Sequence, residues 1–171
     1  LYDSSSLGLQ DAGERALSLD GSLLAIRDGA SIVIATSQST HRLQFAEGLG
    51  TKDSPLALST HGRHLALAWT EESASREAAQ LLVWDLRTNQ TVFQHQFESG
   101  RSPEFIQFSP TGKHLVTTTG EFVMGREGIQ LYDLDGNWLY SMRAGPGSMA
   151  GAEGAFAFTP DGRFLAAATY S

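Results

Sequence analysis

Residues 104–119 read EFIQFSPTGKHLVTTT and residues 128–142 read GIQLYDLDGNWLYSM, and together they predict four consecutive short strands. Each stretch contains two apolar runs separated by a turn with a glycine, Gly112 in the first and Gly136 in the second. Glycine suits a tight hairpin turn because it adopts a positive φ without steric cost. The two stretches therefore predict one four-stranded antiparallel sheet between Phe105 and Met142.

The same pattern recurs along the chain. Pairs of apolar runs also flank Asp20-Gly21, His61-Gly62 and Asp161-Gly162, so that the turn recurs after 41, 50 and 50 residues. A period of about 40–50 residues made of short strands is typical of β-propeller blades. We therefore expect an all-β fold, a β-propeller built from four-stranded antiparallel blades. About four blade-equivalents are present, and we expect them to form an arc of a larger ring.

The repeat divides a single propeller region, residues 1–171, into five parts. Complete blades are predicted at residues 14–48, 54–99 and 103–145, and half blades at residues 1–9 and 153–171. Leu1-Tyr2-Asp3 matches Leu131-Tyr132-Asp133, the predicted third strand of the last complete blade. The half blades are complementary, so residues 153–171 can pair with residues 1–9 and remove exposed strand edges. Self-association or further propeller repeats would also complete the ring.

Two sets of motifs resemble those of WD-repeat propellers. Val83-Trp84-Asp85 and Leu131-Tyr132-Asp133 end predicted third strands, and the stretches FSPTG (108–112) and FTPDG (158–162) occupy first hairpins. The chain is also similar to bacterial propellers with Ser-Pro-Asp-Gly hairpins, including TolB-like repeats. No copy carries the Gly-His pair that precedes the first strand in WD repeats. The resemblance implies a rigid scaffold for protein assembly and no chemistry.

The composition excludes several classes of protein. Lys and Arg number 12 against 19 Asp and Glu, and the formal charge of −7 disfavours a nucleic-acid binder that follows phosphates. The absence of cysteine excludes disulfides and thiolate metal sites. No apolar run approaches the roughly 20 residues that span a bilayer. We expect a cytoplasmic protein, or a periplasmic or secreted one if an N-terminal signal has been removed.

The candidates for catalysis or metal binding are better explained as structural residues. His64 and His114 occupy the repeat position held by Leu23 and Phe164 in other copies, which indicates packing. The aspartates that end third strands, such as Asp85, are predicted to accept hydrogen bonds from the turn amides that follow. The sequence therefore predicts no catalytic residue, no metal ligand, no cofactor and no enzyme. Packing within or between blades is also predicted for the tryptophans, Trp69, Trp84 and Trp138.

The longest connections between predicted strands lie on one face of the propeller, at residues 70–80 and 120–128. Long loops on a rigid scaffold are the usual place for binding. Phe122 and Met124 are the strongest candidates for partner binding, because they are apolar residues in a glycine-flanked loop. The alternative is that the loop folds back and buries both side chains over the ends of the blades. Residues 73–80 form either a loop or one helical turn. The full set of candidate partner-binding residues is Phe122, Met124, Arg126, Glu127, Glu71, Glu72, Arg76, Arg101 and Met149.

Three functions remain open. The first is a non-catalytic scaffold that binds a protein or peptide partner through the long-loop face. The second is an enzyme or small-ligand binder that uses the central channel, which requires polar residues from first strands; the residues assigned there, Ser18, Ser59, Gln107 and Ala157, provide no carboxylate ring. The third is a structural arc of a larger propeller within a multi-subunit complex.

Overall fold

The structure, a computed structural model, describes residue 9 and residues 12–45, 54–73, 76–97, 103–118, 128–142 and 156–167. The regular structure of these residues consists of β-strands. They are β1 (Ala12–Leu17), β2 (Leu24–Asp28), β3 (Ser31–Ala35), β4 (Thr40–Gln44), β5 (Leu56–Leu58), β6 (His64–Ser73), β7 (Arg76–Asp85), β8 (Gln90–Phe97), β9 (Phe105–Phe108), β10 (His114–Thr118), β11 (Ile129–Asp133), β12 (Trp138–Met142), β13 (Phe156–Phe158) and β14 (Leu165–Ala167).

The strands form sheets in chain order, each strand antiparallel to the next. The first sheet is β1–β4, the second β5–β8 and the third β9–β12; the described part of the fourth is the pair β13–β14. The first strands of the first three sheets, β1, β5 and β9, lie side by side. This is the meander of propeller blades, so the predicted all-β propeller of four-stranded antiparallel blades is confirmed. The proposed pairing with residues 1–9 falls largely outside the described residues.

One hairpin turn is built identically in all four sheets. In each copy the amide of a glycine with φ between 65° and 71° donates a 2.8 Å hydrogen bond to the carbonyl of a Ser or Thr three residues earlier. The hydroxyl oxygen of that residue accepts a bond of 2.9–3.1 Å from the amide five residues after it. Positive φ favours glycine here, because other residues have a Cβ that clashes. The four hydroxyl residues are Ser18, Ser59, Ser109 and Thr159.

Each sheet has two faces, distinguished by what they meet. We call the face toward the preceding sheet the leading face and the face toward the following sheet the trailing face. Between the first two sheets, Ala25 on the first trailing face packs in one buried cluster with Leu58 and Leu65 on the second leading face. Between the second and third sheets, Ala66 packs in another cluster with Leu115. Burying a large apolar side chain contributes about 1.5–3 kcal/mol, so these two junctions are the core of the fold.

The connection between β6 and β7 differs from the predicted loop or helical turn. The two strands pair without interruption from His64↔Asp85 to Ser73↔Arg76, so Glu71, Glu72 and Arg76 lie on strands. Each added cross-strand pair satisfies backbone hydrogen-bonding groups, and this outweighs the helix propensity of the Ala and Glu residues.

The connection between β2 and β3 is short and has a partly buried ion pair beside it. Arg27 and Asp28 lie in β2 and are buried, and Ser31 starts β3, so that only Gly29 and Ala30 connect the two strands. Asp28 accepts a 2.5 Å hydrogen bond from Nη1 of Arg42, and the same nitrogen donates to Ser31 at 2.6 Å. A buried carboxylate is tolerated here because it has a cationic partner.

Candidate functional site

A cavity of about 300 Å³ lies where the first strands of three sheets converge. It is contributed by β1, β5 and β9 and by the turns that follow them, so it opens along the predicted propeller axis. A volume of this size is at the lower end of the range for small-molecule sites. The lining residues are Ala16, Leu17, Leu19, Leu56, Ala57, Leu58, Thr60, Ile106, Gln107, Phe108 and Pro110.

The cavity offers little polar chemistry. Of its lining residues only Thr60 and Gln107 have polar side chains, and the Thr60 hydroxyl donates a 2.5 Å hydrogen bond to the carbonyl oxygen of Pro110. Among the described residues no group of three or more His, Cys, Asp or Glu is placed to hold a metal ion. The lining suits an apolar group better than a charged substrate.

The register of the first strands corrects one assignment made from sequence. Ser18 and Ser59 do not occupy the position of Gln107 and Ala157; they follow their strands and build the hairpin turns. The equivalents of Gln107 are Ala16 and Ala57, since both sit one residue before the last residue of the first strand. In each of these two sheets the serine that ends the apolar run belongs to the hairpin turn. Its hydroxyl oxygen accepts a hydrogen bond from a backbone amide of the turn and does not face the propeller axis.

His64 has the packing role that its repeat position predicts. Its ring stacks on Phe108 of the third sheet, with ring centroids 6.4 Å apart, and its side chain is only 12% exposed. Burial lowers the pKa of His64, and the nearby Arg63 cation lowers it further, although the Asp85 carboxylate 3.8 Å away acts in the opposite direction. His114 holds the same position in the third sheet and is partly buried.

Asp85 and Asp133 have the predicted turn role. One carboxylate oxygen of Asp85 accepts hydrogen bonds from the amides of Arg87 and Thr88, at 2.8 and 3.0 Å, and the other accepts one from Nε of Arg63 at 2.9 Å. The Thr88 amide is the main cause that lowers the pKa of Asp85 to about 2, assisted by Arg63. In the third sheet, the Asn137 side chain is the main cause that lowers the pKa of Asp133. Asp3, the third member of this set, lies outside the described residues.

Neighbouring sheets are also joined through their hairpin turns. The amide of Asp20 donates to the carbonyl of Thr60 at 3.2 Å, and Nδ1 of His61 lies 3.3 Å from a carboxylate oxygen of Asp20. The hydroxyl of Ser18, which donates to Asp20 at 2.7 Å, is the main cause that holds the pKa of Asp20 well below its usual range. These contacts fix the turn ends of the first two sheets to one another.

Two of the three tryptophans pack as predicted, and one does not. Trp69 and Trp84 contact the cluster between the first two sheets, and Trp84 makes an edge-to-face contact with Phe45 at 5.8 Å. Trp138 is 60% exposed, and Tyr140 on the same strand is 58% exposed. Both lie on β12, the outer strand of the third sheet, and the described part of the next sheet contains only its first two strands. The prediction of a packed Trp138 is therefore wrong.

The structure describes only part of the predicted partner-binding face. Glu71, Glu72 and Arg76 lie near the end of the β6–β7 hairpin, and their backbone is described. The remaining candidates lie outside the described residues and stay predictions: Phe122, Met124, Arg126, Glu127, Arg101 and Met149.

The β6–β7 hairpin extends beyond its own sheet as a two-stranded ribbon. β8 pairs with β7 only as far as Ala79↔Phe97, whereas β6 and β7 continue to Ser73↔Arg76. The ribbon emerges at the end of the sheet opposite the hairpin turns, because successive connections in a meander alternate between ends. Its register places Glu72 directly opposite Glu77.

The comparisons with known proteins support the propeller fold. Solved structures similar to this chain include the β-propeller domain of Cps50 (Swd1) from Myceliophteria thermophila, with TM-score 0.64 and 17% identity over 93% of this chain and 49% of that one. TolB from Acinetobacter baumannii gives TM-score 0.52 and 16% identity over 91% and 37% of the two chains. The β-propeller domain of the Trilobed protease from Pyrococcus furiosus gives 0.56 and 12% over 81% and 44%.

These similarities establish a β-propeller fold and no more, because the identities are below 20%. The chain spans less than half the length of each of these structures. No family model matches the sequence, and no curated protein matches it. Within the described part of the chain, no helix is long and apolar enough to cross a membrane.

Proposed function

We propose that this chain is a non-catalytic, WD-repeat-like propeller scaffold that binds a protein or peptide through its long-loop face. The β6–β7 ribbon is the observation that carries the proposal. Cross-strand hydrogen bonds hold the two strands of a projecting hairpin together, and the amides and carbonyls of their outer edges are left for a partner to pair with. The ribbon extends from the second sheet, which is packed between the first and third sheets. A rigid base of this kind reduces the entropy lost on binding.

The sequence of the ribbon indicates the chemistry of the partner. Glu72 and Glu77 are at opposite register positions, and with Glu71 they give this end of the two strands three acidic residues against one basic residue, Arg76. A basic partner complements this charge. We therefore propose a partner with Lys or Arg side chains at the contact, consistent with the chain's charge of −7.

The WD-like part of the proposal rests on the third-strand aspartates. Asp85 follows Val83-Trp84 and connects its strand to the next turn, to Arg63 and, at 3.8 Å, to His64. An aspartate that ends a Val-Trp-Asp third strand and accepts hydrogen bonds from the amides of the following turn is the feature that resembles WD repeats.

The test compares partner capture by matched variants. Immobilised wild-type chain and the variants Glu72→Gln/Glu77→Gln and Phe122→Ser/Met124→Ser are incubated with extract of the source cells, and bound proteins are quantified by mass spectrometry. The control is Asp135→Asn, which removes one exposed charge at the opposite end of the sheets. We expect at least one abundant basic protein to be lost about tenfold or more with the ribbon variant and retained by the control. Equal recovery by all folded variants would reject the long-loop face.

A second candidate function is the binding of a small apolar ligand in the axial cavity. The cavity has a volume of about 300 Å³ and a mostly apolar lining, which favours such a ligand. Titration with an environment-sensitive apolar dye tests it. Filling the cavity with Ala57→Leu should abolish saturable dye binding, whereas unchanged binding would exclude the cavity as the site.

A further inference from the structure

The inner edge of the β6–β7 ribbon lies beyond the strand that pairs with β6 on that side. β5 pairs with β6 only as far as Leu56↔Leu67, and one further hydrogen bond joins the amide of Ala68 to the carbonyl of Pro55 at 3.2 Å. Proline has no amide to donate, so the ladder weakens where β5 begins. Among the described residues, no strand pairs with β6 on this side beyond Ala68.

The hydrogen bonds of the second sheet show which backbone groups point to this edge. Along a strand, the amides and carbonyls of successive residues point alternately to its two sides. The amide of Ala68 points toward β5, so those of Thr70 and Glu72 point to the same side, past the end of β5. The edge of β6 therefore presents the amides and carbonyls of two residues for pairing.

The outer edge of β7 offers less for pairing. The amide of Leu86 donates to the carbonyl of Arg63 across the β6–β7 pair at 2.8 Å, so the even-numbered residues of β7 point toward β6 and the odd-numbered ones toward β8. β8 ends at the pair Ala79↔Phe97. Of the described residues beyond that pair, only Glu77 points its amide and carbonyl to the outer edge.

The charges of the ribbon favour a basic strand on the β6 edge. Glu71 and Glu72 are consecutive in β6, and consecutive residues of a strand belong to its two opposite faces. A strand that pairs with this edge has residues opposite both of them. Two consecutive basic residues in that strand therefore place one positive charge on each face, opposite one glutamate.

We propose that the partner of the long-loop face binds as an extended segment that adds a strand to the β6 edge, with consecutive Lys or Arg residues opposite Glu71 and Glu72. In this mode of recognition the main-chain hydrogen bonds supply affinity and the side chains supply specificity. The inference rests on the proposed function, because it specifies how the same ribbon binds its basic partner. The edge belongs to the second sheet, which is packed between two other described sheets.

Two matched proline variants test the proposal. Glu72→Pro removes an outward amide from β6, and Glu77→Pro removes one from β7; each also removes one carboxylate, and neither amide takes part in the β6–β7 pairing. The probe is a blocked peptide, Thr-Val-Lys-Lys-Val-Thr, titrated into each variant and followed by NMR. We expect Glu72→Pro to weaken binding at least about tenfold, and Glu77→Pro and the charge control Glu72→Gln by no more than about threefold.

The outcomes separate this inference from the proposed function. Equal weakening by the two proline variants, or no binding of the peptide to the wild-type chain at millimolar concentration, would overturn strand addition. The proposed function would still stand if Glu72→Gln/Glu77→Gln lost a basic protein from the extract, because that experiment does not depend on how the partner's backbone pairs.

A modified peptide tests the same point without changing the protein, so it does not depend on the folding of the proline variants. N-methylation of both lysines keeps their charges and removes two consecutive amides, which point to opposite edges of an extended peptide. We expect this peptide to bind at least about tenfold more weakly than the unmodified one. Equal binding would mean that charge attraction alone holds the peptide, and would overturn the proposal.

Amide hydrogen exchange shows whether the edge is open in the free chain. Thr70 and Glu72 should exchange quickly without peptide and at least about tenfold more slowly when the peptide is saturating, whereas Glu71, whose amide points toward β7, should be protected in both states. Slow exchange of Thr70 and Glu72 in the free chain would mean that residues 51–53 or another part of the chain already pairs with this edge. That result would overturn the proposal.

Discussion

The second and fourth sheets carry nearly the same residues on their trailing faces and expose them very differently. Ala57 is 8% exposed and Ala66 fully buried, whereas their equivalents Ala157 and Ala166 are exposed. His64 is mostly covered by Phe108, while Phe164, a more apolar residue at the same position, is 64% exposed. The local hairpin is the same in both sheets. The difference shows that burial in this fold is determined by the neighbouring sheet rather than by the strand's own sequence.

The largest effect is expected from replacing leucine with alanine at two equivalent positions, one buried between two sheets and one exposed. Leu58→Ala should lower the free energy of unfolding by about 2–5 kcal/mol, because it leaves a cavity in a packed junction. Leu17→Ala, at the equivalent exposed position, should change it by no more than about 0.5 kcal/mol in the monomer. Urea unfolding at low protein concentration measures both. Equal losses would mean that Leu17 is covered by another part of the chain.

A smaller effect is expected from adding a methyl group to the shared turn. Gly21 and Gly62 both have positive φ, so alanine at either position costs about 1–2 kcal/mol in backbone strain. A Cβ on Gly62 would also lie 2.7 Å from a methyl carbon of Leu23, whereas one on Gly21 meets nothing within 4 Å. Gly62→Ala should therefore cost about 1–3 kcal/mol more than Gly21→Ala.

Thermal or urea unfolding of these two variants distinguishes turn strain from contact between sheets. If both substitutions cost the same, the second hairpin turn does not pack on the first sheet as described.

The smallest effect concerns the two turn aspartates and depends on pH. The folded-state pKa of Asp85 is lowered to about 2 from 3.8, so its stabilising contribution is complete above pH 3.8 and is lost as the pH falls toward 2. Asp85→Asn should remove that part of the acid dependence and destabilise the chain at neutral pH. Asp133→Asn should act in the same direction but less, since Asp133 is more exposed and has no arginine in its bonds.

Unfolding midpoints measured from pH 2 to pH 7 check this order. A midpoint that falls between pH 4 and pH 2 as steeply in Asp85→Asn as in the wild type would exclude Asp85 as its source.

The sheets could be predicted from sequence because each hairpin depends on short-range chemistry. The glycine of each turn, the apolar runs around it and the aspartate that ends a third strand are all visible locally. The turn hydroxyls were missed, although a signal exists: Ser18, Ser59, Ser109 and Thr159 each stand three residues before the turn glycine. A serine at the end of an apolar run was instead assigned to the strand.

The remaining differences depend on information that is not local. Residues 70–73 and 76–79 contain Ala and Glu, which favour a helix in isolation, and they form strands because the pairing of β6 with β7 continues through them. Trp138 is a large aromatic residue of the kind that is usually buried, but it lies on an outer strand and is exposed. For the partner-binding face, the sequence indicates where long connections occur but not which side chains a partner contacts, because that depends on the partner's shape.

Hydrogen exchange at the four turn glycines tests the central claim most directly. The amides of Gly21, Gly62, Gly112 and Gly162 donate hydrogen bonds of the same 2.8 Å length to the same acceptor position, so the hydrogen bonds themselves are matched. If the neighbouring sheets determine stability, Gly62 and Gly112 should exchange most slowly in the monomer and Gly162 fastest. Equal protection at all four amides, measured by NMR at low concentration, would contradict the account.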